Sequence, residues 1–340
     1  MWENILGHDK QKSFLQNYLK AAERPHALLF VGAEGLGKRQ LALEFAKSLL
    51  CETHTGADNC EACRLMNIEG GDFSHPDFLL VQREEDPKTK RLKDISIDQI
   101  KNLITQAATG AVMSPTRVCL IEDVDKMSVA AANSFLKLLE EPPSGWVMLL
   151  IATSADKLLP TILSRVVLLR FQTVELSLVE QALHKQKIDS DKARVLARIS
   201  EGSIGKALSL YQNGSDSNVF VYRQQAAAFL EALPLSMPVN YLSGRKWLDG
   251  KLLKNEALLL LQLWQLLLHD LLLCKLQLYD KIYNVDLLTE LQAQSRGWRI
   301  ETLKKSLTHV QAAFVALESN VSSKIVLESL ALKIDKTYKE

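Results

Sequence analysis

Residues 25–43, PHALLFVGAEGLGKRQLAL, constrain the fold of this chain more than any other stretch. Ala27 to Val31 is an apolar run of strand length, and Gly32 to Arg39 is a glycine-punctuated turn. From Gln40 the apolar residues recur at helical spacing. Strand, turn and helix in that order is the setting a phosphate-binding loop requires. Gly32, Gly37 and Lys38 meet the pattern G-x-x-x-x-G-K, with Gly35 between them. Glycines let successive backbone N–H groups close round a phosphate at the positive end of a helix, and Lys38 adds a point charge. The next position ordinarily supplies a Ser or Thr hydroxyl for Mg²⁺; here it is Arg39. The loop therefore predicts an α/β nucleotide-binding architecture and leaves open whether ATP is turned over.

The rest of the N-terminal half extends that architecture. Ile5 to Lys20 reads as an amphipathic helix with Phe14, Leu15 and Leu19 on one face, and the helix after the loop runs to about Leu50. Asp77 to Val81, Arg117 to Ile121, Val147 to Ala152 and Val166 to Phe171 are further strands. Between them, Ser96 to Ala107 forms a helix with Ile97, Ile100, Leu103 and Ile104 inward. Ser128 caps a helix that runs through Glu140 and is stopped by Pro142 and Pro143. Short apolar strands separated by helices predict a five-stranded parallel sheet covered on both faces. Arg83 to Lys93 reads as a charged loop. Beyond Gln172 the pattern is helical only, with helices at Val174 to Gln186, Asp191 to Ile199 and Ser203 to Tyr211. NGSDSN, Asn213 to Asn218, reads as a linker before a further helical segment.

The strand Arg117 to Ile121 ends in Glu122-Asp123. In an active loop ATPase an Asp-Glu pair stands here, the Asp holding Mg²⁺ and the Glu polarising the attacking water. With the side-chain lengths exchanged, Asp123 falls about a methylene short, and misplacement near 1 Å costs on the order of a hundredfold in rate. Arg39 adds a second defect by placing positive charge where the cation belongs. Mg²⁺ is not expected to be held well, and ATP or ADP is expected to bind weakly at most.

Composition excludes several other classes. A chain of 340 residues suggests two or three domains. A formal net charge of +1 argues against binding nucleic acid through bulk electrostatics. The start MWENILGHDKQKS is polar and charged, so no signal peptide is expected, and five cysteines point to a reducing, cytoplasmic setting. Ala257 to Leu273 is strongly apolar but interrupted by Gln262, Gln265, His269 and Asp270. It is read as a buried helix, not as a membrane span. His26 and His75 are read as structural, and no Ser-His-Asp hydrolase set is legible.

Several motifs occur in a family's order and spacing. Asn133, Leu136-Lys137, Leu139 and Glu140-Glu141-Pro142-Pro143 resemble the signature helix of the bacterial DNA polymerase III clamp-loader AAA+ subunits. Thr153 fits that family's sensor-one position, and Ser164-Arg165-Val166 resembles its Ser-Arg-Cys motif with Val in place of Cys. Gly202 to Leu208 resembles its sensor-two helix, with Lys206 where Arg is usual. The resemblance covers roughly residues 1–212. It implies an α/β P-loop AAA+ domain at 1–171 with a Cys-bearing insertion at 51–66, a small helical lid at 172–212, and an all-α collar at 219–340.

The resemblance also implies partners: delta and tau/gamma subunits in a hetero-pentameric ring, the sliding clamp, and primer-template DNA threaded through the ring. Arg165 becomes the candidate arginine finger acting in trans on ATP held by a neighbouring subunit, since a guanidinium is always charged and forks onto phosphate oxygens. The alternative, that Arg165 pairs with a local carboxylate, stays open. The nucleotide-site residues carried over are Gly32, Gly35, Gly37, Lys38, Arg39, Glu122, Asp123, Thr153 and Lys206. Two functions follow: a stator-like subunit that completes a neighbour's site, or a tau/gamma-type ATPase working at Lys38. The family's zinc pattern is four cysteines. Cys51, Cys60 and Cys63 keep three of them, and Met66 stands at the fourth position. A thioether is a poor Zn²⁺ ligand; His54 and His75 are the other donors weighed, and loss of zinc stays open. Cys119 and Cys274 are core thiols.

Overall fold

The computed structural model describes residues 2–58, 60–68, 70–87, 92–107, 109–212, 219–233, 253–319 and 321–339. The chain divides into two compact units. The first comprises Met1–Val174 with Ser203–Gly205, and the second comprises Glu175–Gly202 with Lys206–Glu340. The expected linker at 213–218 lies outside the described residues, as do the loops that Pro234 and Pro238 predict.

In the first unit the chain runs α1 (Asp9–Lys20), β1 (Ala27–Val31), α2 (Lys38–Leu50), α3 (Glu61–Leu65), β2 (Met66–Asn67), β3 (Asp72–Phe73), β4 (Phe78–Val81), α4 (Ile97–Ala107) and β5 (Arg117–Ile121). It continues through α5 (Val129–Glu140), β6 (Trp146–Ala152), α6 (Pro160–Leu163) and β7 (Val167–Arg170). Five strands form a parallel sheet in the order β4-β5-β6-β1-β7. That order puts β1, and the loop after it, in the interior of the sheet. The sheet is buried because alternate strand residues serve opposite faces. Leu28, Phe30, Val118, Leu120 and Leu149 pack with Leu15, Leu41 and Phe45 of α1 and α2. Leu29, Cys119, Ile121, Met148 and Leu150 pack with Ile100, Leu103 and Phe135 of α4 and α5. Each such side chain contributes about 1.5–3 kcal/mol of burial, which is why these strands are apolar throughout instead of alternating with polar residues.

Two expectations need adjustment in this unit. The first helix begins at Asp9, not Ile5, because Gly7 and His8 adopt left-handed backbone (φ 72° and 58°) and break the helical path. The Cys-bearing insertion is ordered, not merely polar. It contains α3 and an antiparallel β2–β3 pair in which Met66 faces Phe73.

The second unit is helical: α7 (Leu176–Lys185), α8 (Ser190–Ile199), most of α9 (Ile204–Gln212), α10 (Val219–Ala232), α11 (Lys254–Lys275), α12 (Leu288–Ser295), α13 (Ile300–Glu318) and α14 (Ser323–Lys339). Helix α11 has 22 residues, longer than the apolar run suggested, and by length and composition it could cross a membrane. Its packing is that of a core helix. Leu260, Leu261, Trp264, Leu267 and Leu271 are buried, with Trp264 against Phe229 of α10 at 5.0 Å between ring centroids. Asp270, 0% exposed, is satisfied by the backbone N–H groups of Tyr283 and Asn284 and the Asn284 side-chain amide, at 2.7–2.8 Å. A carboxylate with three protein donors belongs to a protein interior and would be costly facing lipid.

Candidate functional site

The loop from Gly32 to Gly37 joins the C-terminal end of β1 to α2. Gly32 approaches Phe171 so closely that a Cβ would lie 2.5 Å from the Phe171 carbonyl oxygen, so only glycine fits there. Gly37 caps α2 in left-handed backbone (φ 82°). Lys38 is 6% exposed, and its ammonium donates to the carbonyl oxygens of Gly32 at 2.6 Å and Ala33 at 2.7 Å. Burial holds its pKa below the ordinary lysine value, against the opposing charges of Glu34, Asp123 and Asp125.

Arg39 and Glu122 face each other. Arg39 Nε donates to Glu122 Oε1 at 2.6 Å, a direct ion pair between the first turn of α2 and the end of β5. Asp123 follows in left-handed backbone (φ 53°). Burial pushes its carboxyl above the ordinary range, and the nearby Asp125 adds to the shift. Thr153, at the end of β6, donates to Asp125 through both its N–H (3.2 Å) and its hydroxyl (2.6 Å). Asp125 was not singled out by sequence. The only signal was a third acidic residue two positions past Asp123. The segment Ser203–Gly205 belongs to the same unit: Gly205 N–H donates to Gly35 O at 2.8 Å, and Ser203 Oγ donates to Glu34 O at 3.3 Å. Lys206 belongs to the second unit.

Arg165 lies elsewhere. One of its terminal nitrogens donates to Thr161 O (3.0 Å) and Ser164 Oγ (3.1 Å), and the other pairs with Glu140 at 3.0 Å. It stands just before β7, whose Val167 is level with Leu28 of β1, while the phosphate loop follows Val31. The two strands are parallel neighbours, so Arg165 lies at the N-terminal end of the strands, opposite the end from which its own chain's loop emerges. About 3.3 Å per residue separates the two by at least roughly 10 Å along the strands.

A second constellation forms in the insertion. Ligand atoms of Cys51, Asp58, Cys60 and Cys63 all lie within 4.8 Å of one another. Cys51 ends α2, and Cys60 caps α3, its sulfur accepting from the Cys63 N–H at 3.4 Å. Asp58 Oδ1 takes the Cys51 thiol at 3.2 Å and the Cys63 thiol at 3.3 Å, and Thr53 donates to Oδ2 at 2.6 Å. Donation from Thr53 first, then from the three thiols, holds the Asp58 carboxyl far below the usual carboxylate range. Burial pushes Cys63 well above an ordinary thiol, with Asp58 adding to it. At Cys51 burial acts the same way, but hydrogen bonds from Thr53 and the Gly56 backbone outweigh it, and its pKa is lowered.

Met66, at the family's fourth position, is fully buried in the hydrophobic core. The two histidines are not members of the cluster. His54 Nδ1 faces Ser48 O at 3.1 Å. His75 Nδ1 accepts the Asp77 N–H at 3.0 Å, and its Nε2 faces Ser114 Oγ at 3.4 Å. The fourth donor is Asp58, brought back by the turn at 52–57. Three thiols and one carboxylate gathered within 4.8 Å of one another form a donor set that Zn²⁺ accepts, so the residues present fit a metal.

Comparisons with known proteins point to one family. A family profile described as "DNA polymerase III, delta subunit" matches residues 7–175. DNA polymerase III subunit delta' of Bacillus subtilis is 29% identical over 322 residues, 94% of each chain. That of Pseudomonas aeruginosa is 38% identical over 146 residues, 43% of each. DNA polymerase III subunit tau of Escherichia coli is 31% identical over 61% of this chain and 32% of its own. Among solved structures, a gamma subunit-related protein of Thermotoga maritima aligns at 17% identity and a TM-score of 0.49, over 95% of this chain and 99% of that one.

Proposed function

Because the chain belongs to the delta-prime family of DNA polymerase III clamp-loader subunits, we propose that it acts as the stator of that assembly, completing a neighbour's ATP site instead of running its own. The observation that carries this reading is the Arg39–Glu122 ion pair. A guanidinium occupies the side-chain position from which a hydroxyl would ligate Mg²⁺, and it neutralises the acidic group that would hold the cation from the other side. Asp123, a methylene shorter, is a weak substitute for the missing Glu. Nucleotide at Gly32, Gly35, Gly37 and Lys38 is then held weakly or not at all, with Thr153 and Lys206 as remnants of the sensor positions.

Arg165 is the group this subunit lends. Its placement at the end of the strands remote from its own loop supports action in trans. Glu140 parks the side chain while no neighbour is present, and its exposed, solvent-screened pairing is weak enough to exchange for a phosphate. The partners are tau/gamma and delta subunits, with the clamp and primer-template DNA met through the assembled ring. Residues 172–212 serve as the lid and 219–340 as the collar, and the protein works in the cytoplasm. Cys51, Asp58, Cys60 and Cys63 hold a structural zinc ion that pins the insertion to the end of α2.

Two measurements test the reading. In a loader reconstituted with tau/gamma and delta, Arg165→Ala is expected to lower DNA-stimulated ATPase at least about tenfold, since fingers of this kind contribute far more elsewhere. Unchanged turnover would remove the finger. The alternative reading, a tau/gamma-type ATPase, requires Mg-ATP hydrolysis by the isolated chain that Lys38→Ala abolishes; finding it would overturn the stator role.

A further inference from the structure

Mg-nucleotide in a phosphate loop joins parts of a fold that otherwise meet only loosely. Its phosphates lie on the loop amides and the lysine, and its cation bridges the residue after that lysine to the acidic strand end. In this chain the polypeptide makes those joints itself. The Arg39–Glu122 contact at 2.6 Å spans the start of α2 and the end of β5, the gap a cation would bridge. Gly205 N–H on Gly35 O and Ser203 Oγ on Glu34 O fasten residues 203–205 directly to the crest of the loop. That fit is tight, for a Cβ on Gly205 would lie 2.8 Å from both Gly35 Cα and Gly35 O. Lys38 is spent on the Gly32 and Ala33 carbonyls, and Thr153 is tied to Asp125 instead of facing a ligand. An isolated surface ion pair would not fix a loop. A backbone-to-backbone clasp on the same loop, with neither partner a flexible side chain, adds the constraint that the ion pair lacks.

We propose that this domain is self-liganded: the Arg39–Glu122 pair and the Gly205–Gly35 clasp take over the cross-linking that Mg-nucleotide performs in an active loop, and hold the loop in one conformation with or without nucleotide. The idea rests on the reading that this site does not turn over ATP, and it adds a mechanism by which a subunit without nucleotide stays rigid.

Backbone hydrogen exchange on the full chain, with and without Mg-ATP, tests it. Wild-type amides of residues 33–38 are expected to exchange at the same rate in both conditions. In the double variant Arg39→Thr, Glu122→Asp the loop is expected to exchange about tenfold faster without nucleotide and to recover protection with Mg-ATP. Gly205→Ala is expected to speed exchange at the same amides, and if that variant does not fold, Ser203→Ala, which removes a single hydroxyl, is expected to do so to a smaller degree. Mg-ATP slowing wild-type loop exchange tenfold or more would overturn the proposal. So would a double variant that exchanges as wild type in both conditions. ATPase measured on the same samples separates the two readings: turnover by wild type defeats the stator role, whereas nucleotide-induced protection without turnover defeats only the self-liganded loop.

Discussion

At position 39 a hydroxyl and a guanidinium have opposite consequences for a divalent cation, because one donates a lone pair and the other repels it. The pairing of Arg39 with Glu122 turns two separate departures into one neutral contact. Asp58 is a comparable single-residue decision at the thiol cluster. Metal analysis of the purified chain is expected to give one zinc per molecule, and Asp58→Ala to weaken zinc retention against a chelator by tenfold or more. Equal retention would mean that the carboxylate is only a hydrogen-bond acceptor for the thiols. Asp77 shows how a buried carboxylate organises a loop. It accepts the N–H groups of Val112, Met113 and Ser114 at 2.7–2.8 Å, and the Arg117 guanidinium lies 3.7 Å away. Burial pushes its pKa up, but the three N–H groups, with His75 nearby, outweigh that and leave it lowered. A lowered carboxylate stabilises the fold above its unfolded pKa of about 3.9 and loses that contribution as pH falls through the folded value. Thermal melts of Asp77→Asn are therefore expected to show the largest deficit against wild type near neutral pH, with the deficit shrinking below about pH 3.9. A deficit constant with pH would assign the effect to packing alone.

Among elements, the sheet and helix α11 are the most apolar, and they differ in what specifies them. Strand β1 is apolar at every position because both faces are covered. Helix α11 is apolar on nearly every side for the same reason, with α10, α12 and α13 around it. Trp264→Ala is expected to cost about 3–5 kcal/mol in the second unit, read as a lower denaturation midpoint for probes in that unit. A loss below about 1 kcal/mol would show that the site collapses to fill the cavity. Asp270 within the same helix has a pKa raised by burial, the three donors opposing it. Its ionised form is the strained one, opposite in sign to Asp77, so its share of stability grows as pH falls.

For the whole molecule the balance of charge matters more than any one residue. A formal net charge of +1 gives the isolated chain little bulk attraction for DNA. Its own affinity for duplex DNA is expected to be no tighter than non-specific binding, a Kd of about 10⁻⁴ M or weaker at physiological salt. Mobility-shift titration at two salt concentrations checks this. Micromolar binding with a steep salt dependence would indicate a concentrated basic face that the sum conceals. DNA contact in the stator reading comes from the assembled ring, where several subunits contribute at once.

The sequence by itself determined the parallel sheet, the glycine-punctuated turn with Arg39 after Lys38, and the acidic strand end. Each is written in consecutive residues whose burial or spacing has one physical explanation. The family resemblance rested on the same local runs: AANSFLKLLEEPP, Ser164-Arg165-Val166 and the Gly202–Leu208 stretch. Only the tertiary structure decided what long-range approach controls. It brought Asp58 to the three thiols, because the turn at 52–57 carries an upstream carboxylate back into the cluster. It likewise set Arg39 against Glu122, 83 residues on, and Gly205 against Gly35. Such contacts depend on how elements cross in space, and a linear pattern records which groups are available without recording which ones meet.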